Sequence, residues 1–521
     1  MYAERMSAPG DAGCRVWIVR GLMGGALLAA GCSFDGNRRF GATDDGGGAA
    51  AAGGGGSAGH GGGGGSGGSP RDAGAILDAP TTGDRPPACV GLRCQQVNCP
   101  AGTSSSISGT VYIPAGNLPL YNVNVYVPNA PLAPLPAEAS CNKCDSMLSG
   151  SPIVTTTTDT RGRFILKNVP VGNDIPLVMQ VGKWRRKVTV PTVTACVENP
   201  ITDVNQSRLP RDKSEGDIPR IALATGGADA LECLLRKVGI ADSEFTPDAS
   251  AGRVNLFAGH GGANKYDSSL NGGADFSPAT TFWSTVGSLK RYDVVLLSCE
   301  GTQDAKNKTP ADLQAMQDYA NLGGRVFASH WHNYWIELGP APFPTAAVFN
   351  HQDDLPSPFT ADIDTTFPKG QAIAEWLLNV GGSTTLGQLV IVAGQHTVDA
   401  VNVAQRWIYS STPTSVQYLT FNTPMTMAPA DQCGRVVLSD IHVSSGDQSS
   451  PSRRFPTGCR TTTLTPQEKA LIFMLFDLSA CIVPDDMCPG GQRSCTPSAG
   501  GPGVCPPRTA CVGGCCVDFI P

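Results

Sequence analysis

The chain is 521 residues long, carries a formal net charge of −6 at pH 7, and contains 63 glycines and 19 cysteines. So mild an acidity, with no Arg/Lys-rich helix and no basic patch, excludes nucleic acid as the partner. High cysteine usage behind an N-terminal leader places the chain in an oxidising compartment, and the length leaves room for two or three domains. In that leader Arg5, Arg15 and Arg20 precede a short apolar run, Gly21-Leu-Met-Gly-Gly-Ala-Leu-Leu-Ala-Ala30, which ends in Gly31-Cys32-Ser33. Residues 1–31 have the outline of a signal peptide. The run is far short of the roughly 20 residues that span a bilayer. Residues 32–88 are dominated by Gly, Ala and Ser and read as a flexible linker, in which His60 is a solvated residue.

The small residues Ala29, Ala30 and Gly31 before Cys32 resemble the lipobox of bacterial lipoproteins. That resemblance implies acylation of the Cys32 sulfur, palmitate included, and the membrane as a partner through this anchor. The location it implies is the cell envelope, with Ser33 after the cysteine favouring the outer membrane.

Cys89, Cys94 and Cys99 lie in a short segment, 89–104. Residues 105–197 read as an all-β sandwich, because Ile107–Ile113, Val123–Val127, Gly162–Leu166 and Leu177–Val181 are β-branched, alternating runs with turn residues between them. The charges of Lys183-Trp-Arg-Arg-Lys187 read as a solvated edge strand. Ser108-Gly-Thr-Val, Pro119-Leu-Tyr-Asn-Val-Asn-Val, Thr158-Asp-Thr-Arg-Gly-Arg-Phe164 and Asn168-Val-Pro-Val-Gly172 resemble, in that order, the carboxypeptidase regulatory-like, transthyretin-type domains. The resemblance implies a non-catalytic accessory domain.

From 218 to 481 the pattern changes to alternating strand and helix. Ile221–Thr225, Tyr292–Ser298, Arg325–Ser329, Leu389–Ala393 and Arg435–Ser439 are strands; Ala230–Val238, Thr309–Leu322 and Pro466–Leu478 are helices. Such alternation predicts an α/β, mostly parallel, flavodoxin-like sheet. The block from Tyr292 to His332, with Tyr319-Ala-Asn-Leu-Gly-Gly324 and Ala328-Ser-His-Trp-His332, resembles class I glutamine amidotransferase-like domains and especially their trehalose-utilisation-like branch. Ala328, His330 and His332 stand where the true amidotransferases carry Gly, Cys and Gly. The resemblance therefore implies an amidotransferase-like domain that does not hydrolyse glutamine.

Ligands of open parallel sheets bind beyond the carboxyl ends of the strands. Those ends carry Gly226-Gly227, His260, Cys299-Glu300, His330, His332, Gln395-His396, Asp440 and His442. The expected ligand-binding set is His260, His330, His332, Asp440 and His442; the candidates for catalysis are His330, His332, Cys299 and Glu300. If the strand continues, the i,i+2 spacing of His330 and His332 puts both on one face, and Glu300 or Asp440 would complete a two-His, one-carboxylate set for a divalent metal, with His442 as a further metal candidate. The blander reading gives these histidines hydrogen-bonding roles in a packed corner with Trp331 and Trp335. Cys299 reads as a disulfide or buried thiol and Cys233 as core packing. Gly259-His-Gly-Gly262 is similar to a lipase oxyanion loop, but no Gly-x-Ser-x-Gly elbow exists to use it.

The tail, 482–521, is rich in Cys, Gly and Pro and holds a shape only by cross-linking. The cysteines from Cys481 to Cys516 are expected to pair largely among themselves, with one linking back to the α/β unit. Without Cys14 of the leader and Cys32 the number of cysteines is odd, so one thiol lacks a partner in the chain. Two functions follow: a surface binding or scaffold protein of the envelope with a polysaccharide or protein partner, or an envelope enzyme, such as a metal-dependent hydrolase of a small molecule or polysaccharide, at the His-lined edge.

Overall fold

The computed structural model describes residues 89–483 apart from 142–147, 249 and 353, together with 17–20, 26–29 and short pieces beyond 483. Cys32, expected to carry the lipid, the expected linker of residues 32–88 and Cys144 lie outside the described residues. Near the N-terminus Trp17–Arg20 pairs antiparallel with Ala26–Ala29. Residues 85–521 cluster as one unit, mainly β with mixed sheets.

Two sheets come first. Ser106–Thr110 is flanked by Arg163–Lys167, antiparallel, and Glu198–Ile201, parallel. Pro152–Thr157, Asn124–Pro128, Gly172–Val181 and Trp184–Val193 form an antiparallel sheet in that order. Their inward residues, among them Ile107, Val125, Phe164, Leu177 and Trp184, belong to one buried cluster. At the turn before Phe164 the Asp159 carboxylate accepts from the amides of Arg161 and Arg163, both at 2.8 Å, and Gly162 takes a φ of 71°. Only an unbranched backbone enters that region without strain.

Trp184–Val193 does lie at a sheet edge, yet the first charges of this segment are not solvated. Lys183 and Arg185 are buried. The Lys183 ammonium donates to the Asp293 carboxylate and to the carbonyls of Pro136 and Glu138, while Arg185 pairs with Asp217 at 2.8 Å. The expectation of a protective charged edge fails here because an α/β strand start, with Asp293 at its head, covers the hairpin. Gly182 at the tip fits only as glycine: a Cβ would stand 1.8 Å from the Ser479 carbonyl oxygen.

The large sheet has eleven strands and is mixed, with six parallel and four antiparallel pairings. Phe245–Thr246, Val254–Ala258, Ile221–Ala224, Val294–Leu297, Arg325–Ser329 and Gly434–Ser439 run parallel, and Ser277–Pro278 adds a short parallel strand beside the end of Val254–Ala258. Thr414–Thr423, Gln405–Ser411, Phe359–Ile363 and Gln388–Ile391 continue the sheet antiparallel. The antiparallel strands end the α/β alternation in two ways: Gln405–Ser411 and Thr414–Thr423 form a hairpin, while Phe359–Ile363 and Gln388–Ile391 are joined through the helix Pro368–Asn379. Leu389, expected among the parallel strands, stands on the antiparallel edge.

In the parallel half successive residues alternate between two cores, the signature of a sheet covered on both faces. Leu223, Leu256, Leu296, Phe327 and Val437 face one cluster with Leu231, Leu235 and Leu471. Ala222, Val295, Leu297, Val326, Ala328 and Leu438 face another with Leu313, Met316 and Tyr319. Pro310–Asn321 and Pro466–Ser479 both start with a capping box, Thr309 with Asp312 and Thr465 with Glu468, and with proline in the first turn. The second helix is buried over most of its surface because it is covered twice. Leu471 packs toward the sheet, while Phe473 stacks on Tyr121 at 5.8 Å and Phe476 meets Trp184 at 5.4 Å. The first β unit and the α/β unit thus share one core.

Disulfides fix the periphery. Cys89–Cys94, Cys99–Cys196, Cys141–Cys433, Cys233–Cys459, Cys488–Cys515, Cys495–Cys511 and Cys505–Cys516 are formed, and Cys481 is also disulfide-bonded. Cys233 is therefore not simply a core residue: its helix is pinned to a distant loop 226 residues on. Peptide mapping without reduction is expected to recover Cys233 linked to Cys459 and Cys141 linked to Cys433. Replacing Cys233 and Cys459 together by Ala is expected to cost about 2–4 kcal/mol in denaturant unfolding. Free thiols at these positions in protein recovered intact would refute the pairing.

Candidate functional site

The carboxyl ends of the parallel strands lie side by side, so the residues just beyond them meet on one edge. Val294–Leu297, Arg325–Ser329 and Gly434–Ser439 are adjacent in the sheet, and their in-register ends deliver Cys299, His330 and His442. The strand does not persist past Ser329. His330 takes a φ of 45° and opens a short 3-10 turn, His330–Asn333. A non-glycine residue in this region costs on the order of 1–3 kcal/mol and is held there by its surroundings. The turn sends His330 and His332 in different directions, so they do not share a strand face.

His332 is fully buried and both ring nitrogens are used. Its Nε2 donates to the Ser298 carbonyl at 3.0 Å, and its Nδ1 accepts from the Trp335 indole at 3.0 Å. That pattern fixes a neutral tautomer with no lone pair to spare. Burial, with Lys308 nearby, drives its pKa well below the ordinary range.

His330 points the other way. Its Nδ1 lies 3.3 Å from Cys299 Sγ, its ring is 4.7 Å from Trp331, and His442 is 5.3 Å away between ring centroids. One donor atom from each of Cys299, His330 and His442 lies within 4.8 Å of the other two. Cys299 is 0% exposed and is the free cysteine among the described residues. The Gly301 amide is 3.4 Å from its sulfur, and the Trp331 amide also faces it. Burial pushes the Cys299 thiol up to about 12 and His330 down to about 2, and lowers His442 as well. His442 Nε2 is buried with no hydrogen-bond partner.

The two carboxylates stay out of this cluster. Glu300 accepts from Lys308 Nζ at 2.6 Å and from the His260 amide at 2.8 Å, so it ties one strand-end loop to another. The His260 side chain itself is exposed. Asp440 is turned to Thr397, accepting from its amide at 2.6 Å and its hydroxyl at 2.8 Å, and burial raises its pKa to about 6. The donors that meet are therefore one thiol and two imidazoles, not two imidazoles and a carboxylate. A second His/Cys cluster, Cys495, Cys505 and Cys516, is consumed by disulfides.

Asp229 is a residue that sequence reasoning missed. It is buried and accepts from Ser329 Oγ at 2.7 Å and from the Val443 and Ala230 amides, both at 2.9 Å. It thereby braces the neighbours of His330 and of His442 against the start of the first helix. The only signal in the sequence was its place after Gly226-Gly-Ala at that helix start. On the rim His351, exposed, bonds Glu337 at 2.9 Å and meets the half-buried Trp331 edge-on.

His396, further along the edge, is held between Asp354 at 2.6 Å and Asp399 at 2.9 Å. Burial alone would lower its pKa, but the two carboxylates raise it above the ordinary 6.5. The imidazolium stabilises the fold fully below the unfolded value and loses that contribution as pH rises through the higher folded value. Wild type is expected to lose melting temperature relative to His396→Gln as pH rises through and above the ordinary histidine range. Parallel curves would refute the pairing. Trp335→Phe removes the donor to His332 Nδ1 and is expected to cost about 1–3 kcal/mol, read as a lower denaturant midpoint.

No known protein family matches the sequence, and no curated protein matches it. Among solved structures, a ThuA-like protein from Bacteroides uniformis is a distant neighbour, 12% identical over 49% of this chain and 90% of that one, with a TM-score of 0.25. A type II cohesin–X-dockerin complex from Acetivibrio cellulolyticus is 14% identical over 28% of this chain and 78% of that one, with a TM-score of 0.14. At such scores neither likeness decides fold or function.

Proposed function

We propose that this chain is a lipid-anchored cell-envelope protein, sorted to the outer membrane, whose α/β unit binds a ligand and does not hydrolyse glutamine. The partner is an envelope polysaccharide or protein. On this reading the β unit of residues 105–197 is a carboxypeptidase regulatory-like sandwich that serves as an accessory, and the α/β unit is a degenerate amidotransferase-like domain of the trehalose-utilisation-like kind.

The observation that carries the non-hydrolytic reading is the corner at His330. Amide hydrolysis through an acyl-enzyme needs a thiolate or hydroxyl that reaches substrate, a base beside it, and backbone amides free to meet the oxyanion. The residue with positive φ at the strand end is a histidine, which is no lasting acyl acceptor for an unactivated amide. The nearby sulfur of Cys299 is buried behind it, and the Gly301 amide already faces that sulfur. What supports the anchor is the run Ala29-Ala30-Gly31-Cys32 at the end of a short apolar segment, followed by a Gly-rich stretch that would hold the folded part off a lipid surface. The second reading, an envelope enzyme at the same edge, is favoured only by the cluster of Cys299, His330 and His442.

Cys32→Ser is expected to release the protein from the membrane fraction of its native host, while wild type takes up labelled fatty acid. A Cys32→Ser protein that stays in the membrane, with no label on wild type, overturns the anchor. Incubated with glutamine, the purified protein is expected to release no ammonia. Turnover that Cys299→Ala abolishes would make Cys299 a nucleophile and the α/β unit an enzyme.

A further inference from the structure

We infer that Cys299, His330 and His442 form a binding site for one late first-row transition-metal ion, held by a thiolate and two neutral imidazoles. The inference is independent of the anchor and of the binding reading, since it concerns only what these three side chains do together.

The spacing is that of a coordination shell. Around a tetrahedral ion with metal–nitrogen bonds of about 2.0–2.1 Å and metal–sulfur bonds of about 2.3 Å, neighbouring ligand atoms stand about 3.3–3.8 Å apart. Cys299 Sγ and His330 Nδ1 are already 3.3 Å apart, and the whole set lies within 4.8 Å. Closing the shell takes side-chain movements of about an ångström. Independent of that spacing, His442 is 6% exposed and its Nε2 is buried with no partner. Buried ring nitrogens are normally hydrogen-bonded or ligating. His330 is kept in a left-handed backbone conformation that turns its ring from the strand direction toward the sulfur.

The donor set also selects the ion. One sulfur and two nitrogens suit zinc or copper, whereas magnesium and calcium require oxygen ligands. Glu300 and Asp440 are bound to Lys308 and Thr397, and His332 has both nitrogens occupied, so none of the three adds to the set. On binding, the Cys299 S–H bond breaks, its proton goes to solvent and the sulfur–metal bond forms. The imidazoles contribute lone pairs and release no proton. No electron is transferred. Three protein ligands leave a four-coordinate ion one further position, for water or a ligand group.

The full chain, in detergent with its disulfides intact and stripped by a chelator, is titrated with cobalt(II), then with zinc. One equivalent is expected to bind, with a thiolate-to-cobalt charge-transfer band in the near ultraviolet, release of one proton, and displacement by zinc. Cys299→Ser is expected to abolish the band, and His442→Ala to weaken binding about tenfold or more. In case those variants fold poorly, wild type alone provides a second readout: X-ray absorption of the zinc-loaded chain should show one sulfur and two imidazole neighbours around the ion. Metal content of protein from the native host then distinguishes zinc from copper, and either at one per chain supports the site. Binding below one equivalent, binding that both substitutions leave unchanged, or an absorption spectrum with no sulfur neighbour overturns it.

Discussion

The register of three parallel strands is the constraint on which the candidate site depends. Leu297 pairs with Ala328 and Ala328 with Leu438, so Val294–Leu297, Arg325–Ser329 and Gly434–Ser439 end at one level. The next residues on the first two strands are then neighbours across the sheet edge, which is how Cys299 and His330 meet although 31 residues separate them. His442 arrives from the third strand after Asp440 has turned away to Thr397. A shift of one residue in any of these pairings would move every side chain of that strand to the opposite face. The alternation of each strand between two apolar cores forbids that shift, because it would drive Leu296 or Phe327 out of the cluster that holds the last helix.

The first β unit is part of the same argument. It reaches the α/β sheet through the hairpin tip at Gly182 and the buried pair of Lys183 with Asp293, the residue that heads Val294–Leu297. Burial raises the Asp293 pKa although Lys183 and the Arg220 amide hold its charge. A buried pair of this kind contributes little net stability, but removing one partner leaves a charge unpaired at a cost of about 3–5 kcal/mol. Its effect is to fix the hairpin against the start of a strand whose other end carries Cys299. The disulfide from Cys141 to Cys433 crosses the same boundary.

Much of this was legible in local pattern. Arg325–Ser329 and the helices capped by Thr309 and Thr465 carry signals in their own residues: continuous apolar runs, capping boxes, and proline in the first turn. The odd number of cysteines pointed to one unpaired thiol, and Cys299 is that thiol among the described residues. The antiparallel half was not legible, because Phe359–Ile363, Gln405–Ser411 and Thr414–Thr423 mix polar and apolar residues in ways that only their partners explain. The site was half legible. Strand ends pointed to Cys299, His330 and His442, which the fold brings together, but not to a left-handed residue at His330 that parts it from His332, nor to Asp229, far away in sequence, bracing the corner. Those depend on tertiary contacts that no window of sequence contains.

The isolation of Cys299 is the last step. In a chain whose other described cysteines are paired, a thiol persists only if it is buried from oxidants and from other thiols, or ligated. Forming a disulfide requires a second cysteine with its Cα within about 7 Å. The sulfur is surrounded instead by His330, the Gly301 and Trp331 amides and, nearby, His442. All of these contacts come from strand ends whose positions the sheet has already fixed. The same geometry that keeps the sulfur from disulfide chemistry also keeps it from substrate, since Trp331 and the rim of Glu337 and His351 stand in front of the turn. Opening the corner to a substrate would require moving the His330 turn, and that turn is braced by Asp229 through Ser329. A rigid, covered thiol beside two imidazoles is the arrangement on which the inferred metal site rests.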